Sequence, residues 1–403
     1  MQLTELYKNS KIVTRLTDAI VSGANRIHVK GLTGSLTSVV GATLASLYPD
    51  RNFLFIVASK EDAYYLQNDI ETLLDEAGNE IERKRVLLFP TTYRKPYQTE
   101  ETDNANVLMR SEVIKQLNSG RAMVLVSYPE ALAEKVVSPQ TLNHNMLSVV
   151  KGAHLDMDFV IDVLQEYNFE RVDFVVQPGQ FAVRGGIIDV FSFANENPFR
   201  IEFFDDTVDS LRSFDPVTQL SIRHYDQVSI IPNLQSGENS SFTQTESPKV
   251  NLLHYFSSDD IVWGQGLMYV CETIEKSYAA ARSEFDKIQQ DKQQGLVRLK
   301  KAAPDQLYSS ANEFIKELIN CRVIESGNSF FFTTANSFVE MQTQSRPQPA
   351  FNKQFDLLRQ TLDDYYRKGY QLFISVSSEQ QRRRLDKIFP HDDTLRFDTL
   401  DCQ

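Results

Sequence analysis

Residues 31–38 read GLTGSLTS, between a short alternating stretch, Arg26-Ile27-His28-Val29-Lys30, and a run of small and apolar residues ending near Tyr48. Glycines between a strand and a helix let backbone N–H groups curl around phosphate, and the motif that does so is G-x-x-x-x-G-K-[ST]. Gly31 and Ser38 fit that spacing, with Ser38 in the place of the hydroxyl that holds Mg²⁺. Leu36 stands where the second glycine belongs, and its side chain would crowd the phosphate cradle. Thr37 stands where the lysine belongs and cannot supply the charge set against β and γ phosphates. The other reading of the same residues is a tight strand-to-helix turn at Gly31 and Gly34, with Ser35 or Thr37 capping the helix. Such a helix end can still hold an anion such as sulfate without any catalysis. A nucleotide hydrolase also needs carboxylates after a later strand to hold its metal. The run that could serve, Asp260-Ile261-Val262, continues Trp263-Gly264-Gln265-Gly266 without an acidic pair. Two separate parts of a phosphate-transfer site are therefore missing.

Other chemistry finds little support. Asp205, Asp206 and Asp209 lack the spacing of a calcium loop and read as a solvated turn. The six histidines show no zinc-binding pairing, and no G-x-S-x-G elbow marks a serine hydrolase. Cys271, Cys321 and Cys402 are distant and odd in number, which suits a reducing compartment better than a disulfide framework. Arg382-Arg383-Arg384 spreads over most of a helical turn and reads as a solvated surface. Trp263, the one tryptophan, is expected to fill core beside the glycine turn. No metal or cofactor is expected.

The elements that must position these residues follow from periodicity. Phe53 to Ala58, Val86 to Phe89 (stopped by Pro90) and Met123 to Ser127 read as buried strands. Helical patterns at Lys60 to Glu76 and Val107 to Leu117 separate them, which is the signature of a parallel sheet. From Val172 to Asp215 the chain turns β-rich: Phe174 to Val176, Gln180 to Val183, Ile187 to Phe191 and Phe199 to Phe204, with a hairpin at Gly185-Gly186. Leu234 to Ser247 reads as a loop, and Glu272 to about Leu299 as a charged helix standing partly clear of the core. A last βα pair runs from Gln371 to Phe389. At 403 residues the chain allows two or three domains, and 41% hydrophobic with 24% charged residues is the balance of a folded globular protein. A net charge of −12 argues against generic binding to nucleic-acid phosphate. The Met1 start lacks a basic segment and apolar h-region, and no window is apolar enough to span a membrane. The chain stops soon after its last helical pattern, so a piece of a longer protein is expected.

Residues 171–193 read RVDFVVQPGQFAVRGGIIDVFSF, and 198–221 read PFRIEFFDDTVDSLRSFDPVTQLS. This wording resembles the region shared by UvrB, the damage-verifying helicase-like subunit of bacterial nucleotide excision repair, and the bacterial transcription-repair coupling factors (Mfd). The FFDD and FDPxTQ strings sit closer to the coupling factors. The resemblance covers nearly the whole chain and is most specific over 171–221. It implies that GLTGSLTS is a decayed phosphate loop, since the lysine and acidic pair kept in UvrB are typically lost in the coupling factors. It further implies a degenerate helicase-like (RecA-like, P-loop NTPase type) α/β parallel-sheet domain, an inserted α+β domain and a helical subdomain. The expected division is 1–135, 219–270 and 355–403 for the helicase-like domain, 136–218 for the insertion and 271–354 for the subdomain. UvrB carries a long aromatic-rich hairpin after the position of Pro90. Here only TTYRKPYQTEETDNANVLMR separates Pro90 from the next helix, with Tyr93 and Tyr97 remaining.

By the same resemblance the inserted domain is a docking site for UvrA, through Arg171, Arg184, Arg200 and Glu202, and a further UvrB arginine falls on Ala182. Arg200 and Glu202 are two apart in a strand and so share one face, with Ile201 and Phe203 toward the core. Arginine forks suit a partner's carboxylates. The alternative pairs these arginines with Asp173, Asp205, Asp206 or Asp209 inside the domain. The implied role is non-catalytic recruitment of UvrA to stalled RNA polymerase, in the bacterial cytoplasm. The implied parent is an ATP-dependent DNA translocase, which would meet RNA polymerase and double-stranded DNA through domains absent here and mask the docking face against its carboxy-terminal domain. The rival is an ATP-dependent DNA-repair helicase of the UvrB type.

Overall fold

The structure is a computed structural model that describes residues 3–79, 81–92, 97, 104–144, 146–193, 195–231, 249–293, 302–333, 337–346, 351, 354–370, 372–376, 378–389 and 398–401. The Leu234 to Ser247 loop, Tyr93 and Cys402 lie outside the described residues. The chain divides into two compact units, 1–345 and 346–403.

The apolar runs FLFI, VLLF and VLVS are fully buried strands, Phe53–Ile56, Val86–Phe89 and Val124–Ser127. Strands buried on both faces belong in a parallel sheet covered by helices. They join a seven-stranded sheet whose order is Val339–Gln342, Arg26–Lys30, Arg322–Ser326, Ile261–Gln265, Phe53–Ile56, Val124–Ser127, Val86–Phe89. Every neighbouring pair is parallel. Two of these strands lie inside 271–354, the stretch the sequence reading set apart as a subdomain, and they flank Arg26–Lys30 on both sides. They escape periodicity because RVIES and VEMQ carry charges at or near their ends. Arg322 and Glu325 are nevertheless buried, since each finds backbone partners: Arg322 Nε donates to the Ala24 carbonyl at 3.1 Å, and Glu325 accepts two backbone N–H groups.

The helix Leu36–Leu47 follows the glycine turn and lies against this sheet. Gly41 marks the closest approach: a Cβ there would stand 2.6 Å from the Phe55 ring. The long helix Leu267–Gln293 starts earlier than expected. Its first turns are core, through Leu267, Val270 and Ile274, and exposed positions become common farther along. In the second unit, Phe373–Val376 and Asp398–Asp401 pair in parallel, with the helix Glu379–Ile388 between them, capped where Ser378 Oγ accepts from Gln381 N.

Residues 147–231 form a body with a core of its own. A six-stranded sheet runs Ser221–His224, Thr207–Phe214, Phe199–Phe204, Ile187–Val190, Gln180–Arg184, Glu170–Arg171. Neighbours are antiparallel except the last pair. One face packs Phe181, Ile188, Val190, Phe199, Ile201 and Leu211 against Val160 and Leu164 of the helix Met157–Glu166. The expected hairpin at Gly185-Gly186 is present. Gly185 has φ +60°, and a Cβ on Gly186 would meet the Phe203 carbonyl at 2.9 Å. Phe174 to Val176, expected as a strand, is instead a loop. Its backbone N–H groups at Val176 and Gln177 donate to the Gln180 side chain at 3.1 and 3.2 Å, in place of a ladder.

Candidate docking face

The sheet face turned away from this core carries the charged residues, because alternate residues of a strand point to opposite sides. Cross-strand register aligns Ala182, Asp189, Arg200 and Arg212 in one row, and Arg184, Ile187, Glu202 and Ser210 in the next. Ile201 is fully buried on the opposite face and Phe203 packs partly against the same core, as the spacing predicted. Asp189 is the hub. It is 1% exposed and accepts from Arg200 through two bonds, Nε at 2.7 Å and Nη2 at 2.8 Å, and from Arg184 Nη2 as well. Two-bond guanidinium–carboxylate pairing is the strong, directional form of the contact. Arg200 also lies over the Phe214 ring at 4.4 Å and donates to Gln219 at 3.1 Å. Glu202 accepts from Ser210 Oγ at 2.6 Å and from Arg212 Nη2. Those hydrogen bonds, Arg212 first, hold its carboxyl below the ordinary carboxylate range. Its contribution to stability is complete above that range and is lost as pH falls through the lowered pKa.

Three of the four expected docking residues therefore share a face. Arg171 does not join their row. It is exposed on the edge strand, and its register partner is Phe181, which faces the core. The acidic partner of the arginines is Asp189 rather than Asp173, Asp205, Asp206 or Asp209. Asp205, Asp206 and Asp209 are exposed, with Asp205 at φ +53° in the turn between Phe199–Phe204 and Thr207–Phe214. Ala182 is 1% exposed beneath a small cluster with Val175, Phe191 and Val172. The loop 172–179 thus covers the position where the resemblance puts a further arginine. Its Phe174 and Val176 are each 60% exposed, and the Arg184 guanidinium stacks on Phe174 at 5.1 Å. At the other border Asp215 Oδ1 accepts from Val217 N and Thr218 N and shapes the turn that brings Gln219 to Arg200. Val217 and Leu220 of that turn are 89% and 69% exposed.

The glycine turn is filled by its own chain. Gly31 and Gly34 take φ +78° and +56°. The Lys30 carbonyl accepts from Thr343 N at 2.9 Å, and the Gly31 carbonyl from Thr343 Oγ1 and Ser345 Oγ. A Cβ on Gly31 would meet the Gln342 side chain at 2.8 Å. Leu36, in the place of the second glycine, packs against the main core. Ser35 holds the N-cap position but makes no capping hydrogen bond with its side chain. Ser38 is buried and donates to Asp69 Oδ2 at 2.8 Å, so its hydroxyl is engaged within the fold. Thr37 is half-buried in the first turn of the helix. On the neighbouring strands Trp263 is 1% exposed, stacks on Phe55 and donates to Ser326 Oγ at 3.1 Å. Glu325 accepts from Leu267 N at 3.1 Å and Phe331 N at 2.7 Å, and burial pushes its carboxyl up. Among the described residues no three His, Cys, Asp or Glu converge as a metal site.

Tyr97 is packed against Ala281 and Tyr308, and its hydroxyl donates to the Ala302 carbonyl at 2.9 Å. Arg382 and Arg383 are exposed and face Glu379 one turn earlier. The buried thiols of Cys271 and Cys321 are pushed up to about 11 and about 12 by desolvation, which makes them poor nucleophiles. Among the described residues no helix is long and apolar enough to cross a membrane.

Comparison with known proteins gives this geometry a context. Residues 147–235 match the UvrB interaction domain, a span that contains the whole candidate face. The transcription-repair-coupling factor of Bacillus subtilis (strain 168) is 28% identical over 225 residues, 56% of this chain and 18% of that protein. The factor of the same name from Haemophilus influenzae is 30% identical over 159 residues, 40% of this chain and 14% of that protein. That of Staphylococcus haemolyticus is 23% identical over 454 aligned positions, 96% of this chain and 36% of that protein. The chain spans between 14% and 36% of the length of these relatives.

Proposed function

We propose that this chain, a relative of the transcription-repair-coupling factors that carries a UvrB interaction domain, is a non-catalytic interaction module of transcription-coupled nucleotide excision repair. Its task is to recruit UvrA to stalled RNA polymerase. The docking residues are Arg184, Arg200 and Glu202 on the outer face, with Arg171 at the sheet edge. The observation that carries the reading is Asp189, a buried carboxylate that holds the exposed Arg184 and the half-buried Arg200 in fixed positions on the outer face of the sheet. A preorganised guanidinium loses less freedom on binding than a mobile one, and arginines are frequent anchors of interfaces.

The parallel sheet is a helicase-like, RecA-like scaffold whose nucleotide site has decayed. In support, Thr343 and Ser345 bond the glycine turn, Ser38 is committed to Asp69, and the strand Ile261–Gln265 ends without an acidic pair. The proposed division keeps 1–135, 219–270 and 355–403 with that scaffold, 136–218 as the insertion, whose body draws in the strands up to Ile230, and 271–354 as a subdomain that lends the parallel sheet two strands. The longer parent is a DNA translocase of the bacterial cytoplasm. Its RNA polymerase and double-stranded DNA contacts, and the carboxy-terminal domain that masks the docking face, lie outside this chain.

The test is a UvrA pull-down with Arg171→Glu and Arg184→Glu combined, both at exposed positions and so compatible with folding. The wild-type chain is expected to retain UvrA and the double variant to lose it; unchanged capture by the variant would end the docking assignment. Titration with Mg²⁺-ATP is expected to show no saturable binding. Tight binding that Thr37→Ala abolishes would favour the UvrB-type ATP-dependent helicase instead.

A further inference from the structure

The arginine face is bordered by two loops that expose apolar side chains the fold does not need. Phe174 and Val176 project from 172–179, Val217 and Leu220 from the turn 215–220. Neither loop is a loose surface turn. The first is fastened by the Gln180 side chain, by Val175 packed on Ala182 and Phe191, and by Arg184 stacked on Phe174. The second is fastened by Asp215 and by Gln219, which accepts from Arg200. The same two arginines that meet at Asp189 therefore also brace the two loops, one each. Between the loops lie three guanidinium groups, Arg184, Arg200 and Arg212, against two carboxylates, Asp189 and Glu202, and the loops themselves add Asp173 and Asp215.

We infer that Phe174 and Val176 on one side, and Val217 and Leu220 on the other, are the apolar anchors of the docking interface, with the arginines as its polar floor. The inference rests on the docking function proposed above and specifies the chemistry of the partner: carboxylates facing the arginines, flanked by two apolar depressions that receive the loop tips. Guanidinium groups bind phosphate as well as carboxylate, so charge alone does not choose the occupant; the match of residues 147–235 to the UvrB interaction domain selects a protein partner. A few fully desolvated side chains seated in the partner's pockets carry most of the energy of such interfaces, and charged residues at the rim set approach and orientation. The covering of Ala182 fits this division of labour. Where the resemblance places an additional arginine, this chain has apolar packing that supports Phe174.

The experiment measures association and dissociation rates of the full chain with purified UvrA at low and high salt. Phe174→Ala and Val217→Ala are expected each to weaken binding by about tenfold, mainly through faster dissociation, with the salt dependence unchanged. Arg184→Glu is expected to slow association and flatten the salt dependence. Circular dichroism of each variant checks the fold; all three positions are exposed. If the quadruple variant Phe174→Ala, Val176→Ala, Val217→Ala, Leu220→Ala binds as the wild type does while Arg184→Glu does not, the anchor assignment is overturned and docking stands. If the wild-type chain does not bind UvrA, docking itself falls.

Discussion

Among single residues, Asp189 decides most about the candidate face. A carboxylate that is 1% exposed is tolerated because two guanidinium groups neutralise and hydrogen-bond it. Removing its charge leaves Arg200, itself mostly buried, without its principal acceptor. Asp189→Asn is expected to lower stability by about 3 kcal/mol in urea unfolding and to weaken UvrA capture even under conditions where the variant is folded. A loss below about 0.5 kcal/mol would mean that the arginines find other acceptors. The signal for this hub was present in the text. In Ile187-Ile188-Asp189-Val190, the aspartate has the parity of Ile187 and falls opposite the core-facing Ile188 and Val190. What the text did not carry was the cross-strand register that sets Asp189 beside Arg200, since register is a property of the paired strands. The register therefore pairs Arg184 and Arg200 with Asp189 and not with Asp173, Asp205, Asp206 or Asp209.

At the level of elements, close approach and loop support separate what propensity allows from what packing permits. Gly41 lies in the interior of Leu36–Leu47, where alanine would favour the helix by about 1 kcal/mol. Packing reverses that sign, because the added Cβ would fall 2.6 Å from the Phe55 ring. Gly41→Ala is expected to destabilise by about 1 to 3 kcal/mol, read from the midpoint of denaturant unfolding. A stabilised variant would show that helix and sheet can separate freely. The loop 172–179 teaches the complementary lesson. Phe174-Val175-Val176 has the alternation of a strand, and Val175 is indeed buried between two exposed neighbours. The Gln180 side chain takes the N–H groups a partner strand would have taken, so the same alternation serves a loop.

For the whole molecule, the separate core of 147–231 predicts autonomy. That body has its own sheet, a covering helix and the antiparallel pair Leu147–Val150 with Gln227–Ile230 at its two ends. Ends that pair with each other close the body, and among the described residues only Met146 and Ile231, the residues flanking that pair, pack with the parallel-sheet core. A fragment of residues 146–231 is expected to unfold cooperatively in urea and to retain UvrA binding, being within the size range in which single domains fold alone. A fragment without a cooperative transition would show that the parallel-sheet core is required to hold it.

The sequence by itself determined the α/β character, through buried runs such as FLFI and VLLF, and the hairpin at Gly185-Gly186, through a glycine pair between alternating segments. It also put Arg200 and Glu202, two apart in one strand, on the same side, while the resemblance to a known family was what singled out the arginines. These are local properties, written in periodicity and residue type. Only the tertiary structure decided that RVIES and VEMQ flank the glycine strand, that Thr343 and Ser345 bond the glycine turn, and that Asp189 joins two arginines. Each of those contacts links residues whose pairing depends on how the chain returns to itself, and there backbone partners and burial, not composition, make a charged or polar residue belong.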